Sequence, residues 1–154
     1  MCKLPKKHLI IILNRGWGLG AGAGGWDSIL GAVNSYRDLL VWQKSIDLTV
    51  IVYALTMTFP KTEIFGLSSQ LQRASVSIPS NIAEGHARDS TKEYLRFISI
   101  AVGSLAEVET QLIIASKLQF INKETLGEQL EKTGEIGRML RGLQKSLKAK
   151  LPNP

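Results

Sequence analysis

Gln72-Arg73-Ala74-Ser75-Val76-Ser77-Ile78-Pro79-Ser80-Asn81-Ile82-Ala83-Glu84-Gly85 carries two interleaved patterns. Leu67, Leu71, Ala74, Ile78, Ile82 and Gly85 recur at spacings of three and four, the apolar face of an amphipathic helix that closes at Gly85 and His86. Gln70, Arg73, Ser77, Asn81 and Glu84 form a polar stripe beside it at the same spacing. Lysine is absent from residues 62 to 91, and short or fork-shaped polar side chains satisfy one another when half-buried. The stripe is therefore expected to be structural. Pro79 lies inside the helix, where it removes a backbone donor and crowds the preceding turn, so a kink is expected between Ser75 and Pro79.

Three more helices flank this one. Leu39, Trp42, Ile46, Val50, Tyr53 and Met57 predict a first helix from Asp38 to the Phe59-Pro60 stop, with this stripe in the core. Ser90 with Glu93 reads as a capping box opening a third helix to about Leu118, whose core face is Tyr94, Phe97, Ile98, Ala101, Leu105, Val108, Leu112 and Ala115. Asn122 caps a fourth, with Leu126, Leu130, Ile136, Leu140, Leu143 and Leu147 inward until Pro152. No run alternates with period two for long enough to make a strand, so the class is all-α. Connections of roughly 3 to 8 residues make neighbours antiparallel and predict an up-down-up-down four-helix bundle. Across the Arg88–Ser90 turn, residues whose numbers sum to about 177 should lie level. Arg73 would then pair with Glu107, and Glu84 with Arg96, as structural ion pairs.

Composition narrows the classes. A chain of 154 residues with 44% apolar and 21% charged side chains fits one globular domain. Cys2 alone forbids an internal disulfide, and with only His8 and His86 beside it there is no zinc set. The net charge of +6 points to an anionic partner. It is concentrated at the ends, because Arg138, Arg141, Lys145, Lys148 and Lys150 follow residue 137 with no acid, while residues 38 to 137 are mildly acidic. Seven of the 14 glycines fall in residues 16 to 31, so residues 1–35 read as a flexible, basic, glycine-rich tail and residues 36–151 as the folded domain. Lysines do precede Leu9-Ile10-Ile11-Ile12-Leu13, but this run is shorter than the roughly 7 to 15 apolar residues of a secretory leader. Arg15 follows it closely, and a cytoplasmic location is expected. Neither that run nor Leu48 to Pro60 reaches the ~20 apolar residues of a membrane span, and no membrane partner is expected.

Chemistry-bearing motifs are scarce. Gly20, Gly22 and Gly25 fit G-x-G-x-x-G, but no strand and helix frame them as dinucleotide binding requires. His86 with Glu84 and Asp89 reads as a helix-end cap rather than a metal or acid-base cluster. Glu107 and Glu109 point to different sides of their helix. No catalytic residue, cofactor or metal is predicted, and an enzyme is not expected.

Arg37-Asp38-Leu39-Leu40-Val41-Trp42-Gln43-Lys44, the Phe59-Pro60 stop, the Gln72–Gly85 run and Ala101-Val102-Gly103-Ser104-Leu105-Ala106-Glu107 together resemble the bacterial four-helix bundle family, also called the 23S ribosomal RNA intervening-sequence protein family. The resemblance covers about residues 36 to 148. It implies an up-down-up-down bundle that assembles as a ring-shaped homopentamer. A related group, the accessory proteins of diversity-generating retroelements, is similar in fold and ring and is taken to bind nucleic acid and a reverse transcriptase.

Two functions follow as expectations. The first is a non-enzymatic, oligomeric protein that contacts RNA or another nucleic acid through its backbone, since lysine and arginine against phosphate give affinity without sequence choice. The second is a protein-interaction scaffold or accessory subunit with no nucleic-acid role. For the first, the bundle topology should gather Arg37, Arg88, Lys92, Arg96, Lys145, Lys148 and Lys150 at one end, diluted by Glu84, Asp89 and Glu93. A homo-oligomer is expected from apolar residues that one core cannot accommodate: Trp42 with Val41 and Ile51, and Val102 with Ile113 and Ile114.

Overall fold

The computed structural model describes residues 35–151. The glycine-rich segment and Pro152 lie outside the described residues. Four helices follow in order: α1 (Leu40–Thr56), α2 (Leu67–His86), α3 (Thr91–Lys117) and α4 (Lys123–Ala149). Each packs against the next, and α1 closes on α4, an arrangement consistent with a four-helix bundle. Neighbours run antiparallel, since Ser77 meets Ser104 across α2 and α3 while Ser99 meets Gln144 across α3 and α4.

Local chemistry explains the helix ends. Ser90 accepts the Glu93 N–H and Asn122 accepts the Thr125 N–H, supplying first-turn groups that have no partner within the helix. The first helix begins later than Asp38. Residues Tyr36–Asp38 form a 3-10 turn closed by a reciprocal capping box between Ser35 and Asp38, and α1 starts at Leu40. Past α3, Gln119 takes the left-handed conformation with φ of 61°, and Phe120 N–H returns to the Ala115 carbonyl. That is a Schellman ending with glutamine where glycine is usual. It seats the Phe120 ring 5.3 Å from Phe59, joining the two connections at that end of the bundle.

The core of α2 is as expected: Leu71, Ala74, Ile78, Ile82 and Gly85 are all buried. The α1 stripe holds only at its start, where Leu39 is buried and Trp42 packs against the core. Beyond that Val41, Ser45, Leu48, Val52 and Thr56 face inward, whereas Ile46, Val50 and Tyr53 are exposed and Met57 is 78% exposed. This helix is apolar almost all round, so periodicity alone cannot choose its inner face. The buried stripe is marked by small hydroxyls that bond their own backbone, Ser45 to Val41 O and Thr56 to Tyr53 O. In α4, Gln129 and Thr133 are buried while Leu126 and Leu130 are half-buried.

By length and composition α3 is apolar enough to cross a membrane, a candidate the sequence comparison of two shorter stretches overlooked. Its apolar content also lines the bundle, because Ile98, Ala101, Leu105, Val108, Leu112 and Ala115 are buried among its neighbours.

Pro79 is accommodated within a continuous α2. A proline at this position cannot bond the carbonyl four residues back, that of Ser75. Thr49 of α1 takes the donor's place in part, its one hydroxyl proton shared between Ser75 O at 3.0 Å and its own Ser45 O at 2.8 Å. Thr49→Val should therefore cost about 1–3 kcal/mol in urea unfolding, the usual penalty for stranding a buried acceptor. In a Pro79→Ala background, where the alanine N–H reaches Ser75 O, the same substitution should cost close to nothing, and equal losses in both backgrounds would refute the pairing.

Candidate functional site

The end of the bundle formed by the start of α1, the end of α2, the start of α3 and the end of α4 holds a cavity of about 220 Å3. Leu39, His86, Arg88, Asp89, Ser90, Thr91, Tyr94, Leu147 and Lys150 line it, so all four helix ends contribute. Small groups make the convergence possible. A Cβ added to Gly85 would stand 2.7 Å from both Phe97 Cβ and Tyr94 Cδ2, so glycine alone lets α3 lie this close on the end of α2. Aromatic edges then tie the elements together. Trp42, Tyr36, His86 and Tyr94 form a chain of edge-on ring pairs, with centroids 5.3, 6.4 and 5.9 Å apart in succession. The His86 ring is thus lodged between Tyr36 and Tyr94, packed instead of serving only as a helix cap.

The predicted cations divide into two groups. Arg88 and Lys150 share the cavity wall, although they are far apart in sequence. Arg37, Lys92, Arg96, Lys145 and Lys148 are exposed side chains outside it. Arg37 lies over the Tyr36 ring at 5.6 Å, and Arg88 over the Phe97 ring at 4.9 Å. Arg88 also pairs with Glu84, one turn back on α2. Asp89 lines the cavity beside them as an opposing charge.

The predicted ion pairs do not form. Arg73 and Glu107 are both exposed and unpaired with each other, Glu107 instead accepting from Gln111 Nε2 at 3.0 Å. Glu84 bonds Arg88 and not Arg96. Register is not the reason. Tyr94 and Phe97 rest on Gly85 and Ser77 faces Ser104 where the symmetric turn would set Ile100, a slide of about one turn that brings both pairs closer to level. All four side chains are instead exposed, and Glu107 and Glu84 bond neighbours one turn away in their own segments. Only the middle of the polar stripe is structural: Asn81 Nδ2 donates to Ser77 O at 2.7 Å and Ser77 Oγ at 3.0 Å, and Ser104 donates to Ser77 Oγ at 2.8 Å. Gln70, Arg73 and Glu84 at its ends are exposed.

Sequence reading missed two features. Lys44 on α1 and Glu135 on α4 pair at 2.9 Å across the closing interface, a contact between helices not consecutive in the chain. Tyr94, expected only as core, has a buried hydroxyl with no partner among the described residues, and burial pushes its pKa from 10.0 up to about 12. A tyrosine spaced with core leucines gives no sign of an unpaired hydroxyl.

A family model for the 23S rRNA-intervening sequence protein matches residues 37–142. The chain belongs to that family. The match takes in the α2 proline motif and Arg88, and it ends before Lys145, short of the expected boundary near 148. Among solved structures, the chain is similar to a protein with unknown function from the S23 ribosomal protein family of Bacteroides thetaiotaomicron VPI-5482. They are 24% identical, the alignment covers 69% of this chain and 99% of that one, and the TM-score is 0.65. The likeness is one of fold. No curated protein matches the chain.

Because the folded state keeps the Tyr94 proton to a higher pH than the unfolded chain does, stability should fall as pH rises from 10 toward about 12. Tyr94→Phe should flatten that alkaline decline in urea titrations, and an unchanged decline would assign it to another group.

Proposed function

We propose that this family member is a non-enzymatic, oligomeric protein that contacts RNA backbone through the basic end of its bundle. The observation that carries this reading is the gathering of Arg88 with Lys150, and the neighbouring exposure of Lys92, Lys145 and Lys148, at the end where four helix termini meet. Cations there can neutralise phosphates without reading bases, and binding of that kind weakens steeply with salt. Glu84 and Asp89 offset part of the charge, so a single copy should bind weakly.

The oligomer is proposed from the outward face of α1, with five copies taken from the family resemblance. Ile46, Val50, Tyr53 and Met57 follow one another at spacings of four, three and four and are all exposed, an apolar stripe on one side of the helix. It differs from the expected residues, since Val41 belongs to the core and Trp42 is packed against it. Ile113 and Ile114 are exposed on α3 as expected, joined by Ile100.

A scaffold role is favoured by one specific feature. At the end opposite the cations, Phe65 is 95% exposed, with Ile64, Met57 and Leu118 also open. An apolar tip of this kind fits a partner protein better than phosphate.

Filter binding of structured RNA across a salt series separates the two. Replacing Lys145, Lys148 and Lys150 with Gln should weaken all RNA sequences evenly and flatten the salt slope by up to about 3 units, given ~0.7 to 0.9 per phosphate contact. An unchanged slope favours the scaffold. Light scattering of the parent should return a multiple of one chain's mass, and Val50→Asp should shift it toward the monomer. A parent that scatters as a monomer would remove the oligomer.

A further inference from the structure

Internal phosphates of an RNA strand carry one charge and a ribose on each side, so they lie across a surface. A terminal phosphomonoester carries about −1.5 to −2 at pH 7 and has three free oxygens, so it can enter a concavity head first. The cavity at the basic end has the room, its volume of about 220 Å3 being several times the ~30 Å3 share of one water.

Its walls have the chemistry. Lys150 reaches it from the end of α4 and Arg88 from the turn after α2, with Asp89 on the wall and Glu84 behind Arg88 as opposing charges that a dianion has to outweigh. Arg88 is held in place by Glu84 on one nitrogen and by the Phe97 ring beneath it, and a guanidinium has five donors, so others remain for a ligand. The Ser90 hydroxyl accepts the Glu93 N–H, which leaves its own proton free to donate, and the Thr91 hydroxyl lines the wall next to it. Tyr94 contributes ring surface to the wall, while its hydroxyl is buried behind it. Leu39 and Leu147 supply apolar wall, which strengthens charge contacts by excluding water.

We propose that this cavity is a binding site for a phosphomonoester group, with Arg88 and Lys150 as its charge partners and Ser90 and Thr91 as hydroxyl donors. Presented on an RNA end, the group deepens the backbone reading, on which that source rests: the basic end would capture strand termini in preference to continuous strand. Free phosphate or a mononucleotide would satisfy the same chemistry without it.

The test uses the full chain and two oligoribonucleotides of one sequence, bearing a 5′-phosphate or a 5′-hydroxyl, at fixed salt. The phosphorylated strand should bind at least about tenfold tighter, the ratio that one charge-assisted hydrogen bond of ~1.5 kcal/mol supplies. Arg88→Gln and Lys150→Gln, both at exposed positions, should erase that ratio while leaving thermal stability unchanged. Equal affinity for the two strands overturns the strand-end source even where salt-dependent backbone binding persists. A separate titration with uridine monophosphate, followed through the Ser90 and Thr91 amide resonances, decides the cavity independently of RNA. Saturable shifts that vanish in Lys150→Gln support the site and, where RNA fails to bind, assign it to a free phosphomonoester. Absence of shifts in the parent overturns it.

Discussion

One unpaired carbonyl organises this bundle. Pro79 deprives Ser75 O of its helical donor, and leaving a buried acceptor unmet would cost about 1–3 kcal/mol. Thr49 from α1 meets it with a proton shared with Ser45 O, a contact available only where Thr49 stands level with Ser75 and faces α2. The contact also requires close approach, and the residues at the seam are small: Ser45 and Ser75 are fully buried. On its other side α2 is fixed to α3 in the same way, through Asn81, Ser77 and Ser104. Apolar packing supplies most of the cohesion but tolerates sliding, whereas buried hydroxyls bonded to named partners do not.

These constraints pass along α2 to the basic end. With α1 and α3 registered on either side of it, Gly85 admits Tyr94 and Phe97, and the His86 ring fills the gap between Tyr36 and Tyr94. The cavity exists because the four helix ends are fixed by these contacts and still leave a gap between the rings and the turn at Arg88–Ser90. A slip of one turn between α2 and α3 would take Tyr94 and Phe97 off Gly85 and move the Tyr94 wall of the cavity away from His86.

Much of this was legible in the sequence, and the failures share a cause. Helix ends marked by Ser90 and Asn122, the proline inside α2, and the grouping of four helix termini need only local rules and chain connectivity. The inner face of α1 was not legible, because a helix with apolar residues on every side offers two stripes, and the correct one runs through Ser45 and Thr56. The α2–α3 register depended on how closely Gly85 lets two rings approach, which is a matter of shape across the interface. Topology sets Arg88 and Lys150 at one end of the bundle, but that they share a cavity wall depends on how the four helix ends splay around His86 and Tyr94.

The surfaces left open would act together under the proposed function. The apolar stripe of α1 runs along the side of the bundle, whereas the cations sit at one end and Phe65 at the other. Association through a side face by a cyclic rule would place every copy's basic end on the same rim. Each copy's modest charge would then act at the effective concentration set by its neighbours, and a weak phosphate contact repeated around a ring would gain avidity without any new contact within one copy. On that reading assembly and recognition use separate surfaces but are coupled through avidity, so a change on the α1 stripe should weaken strand binding although it touches no cation.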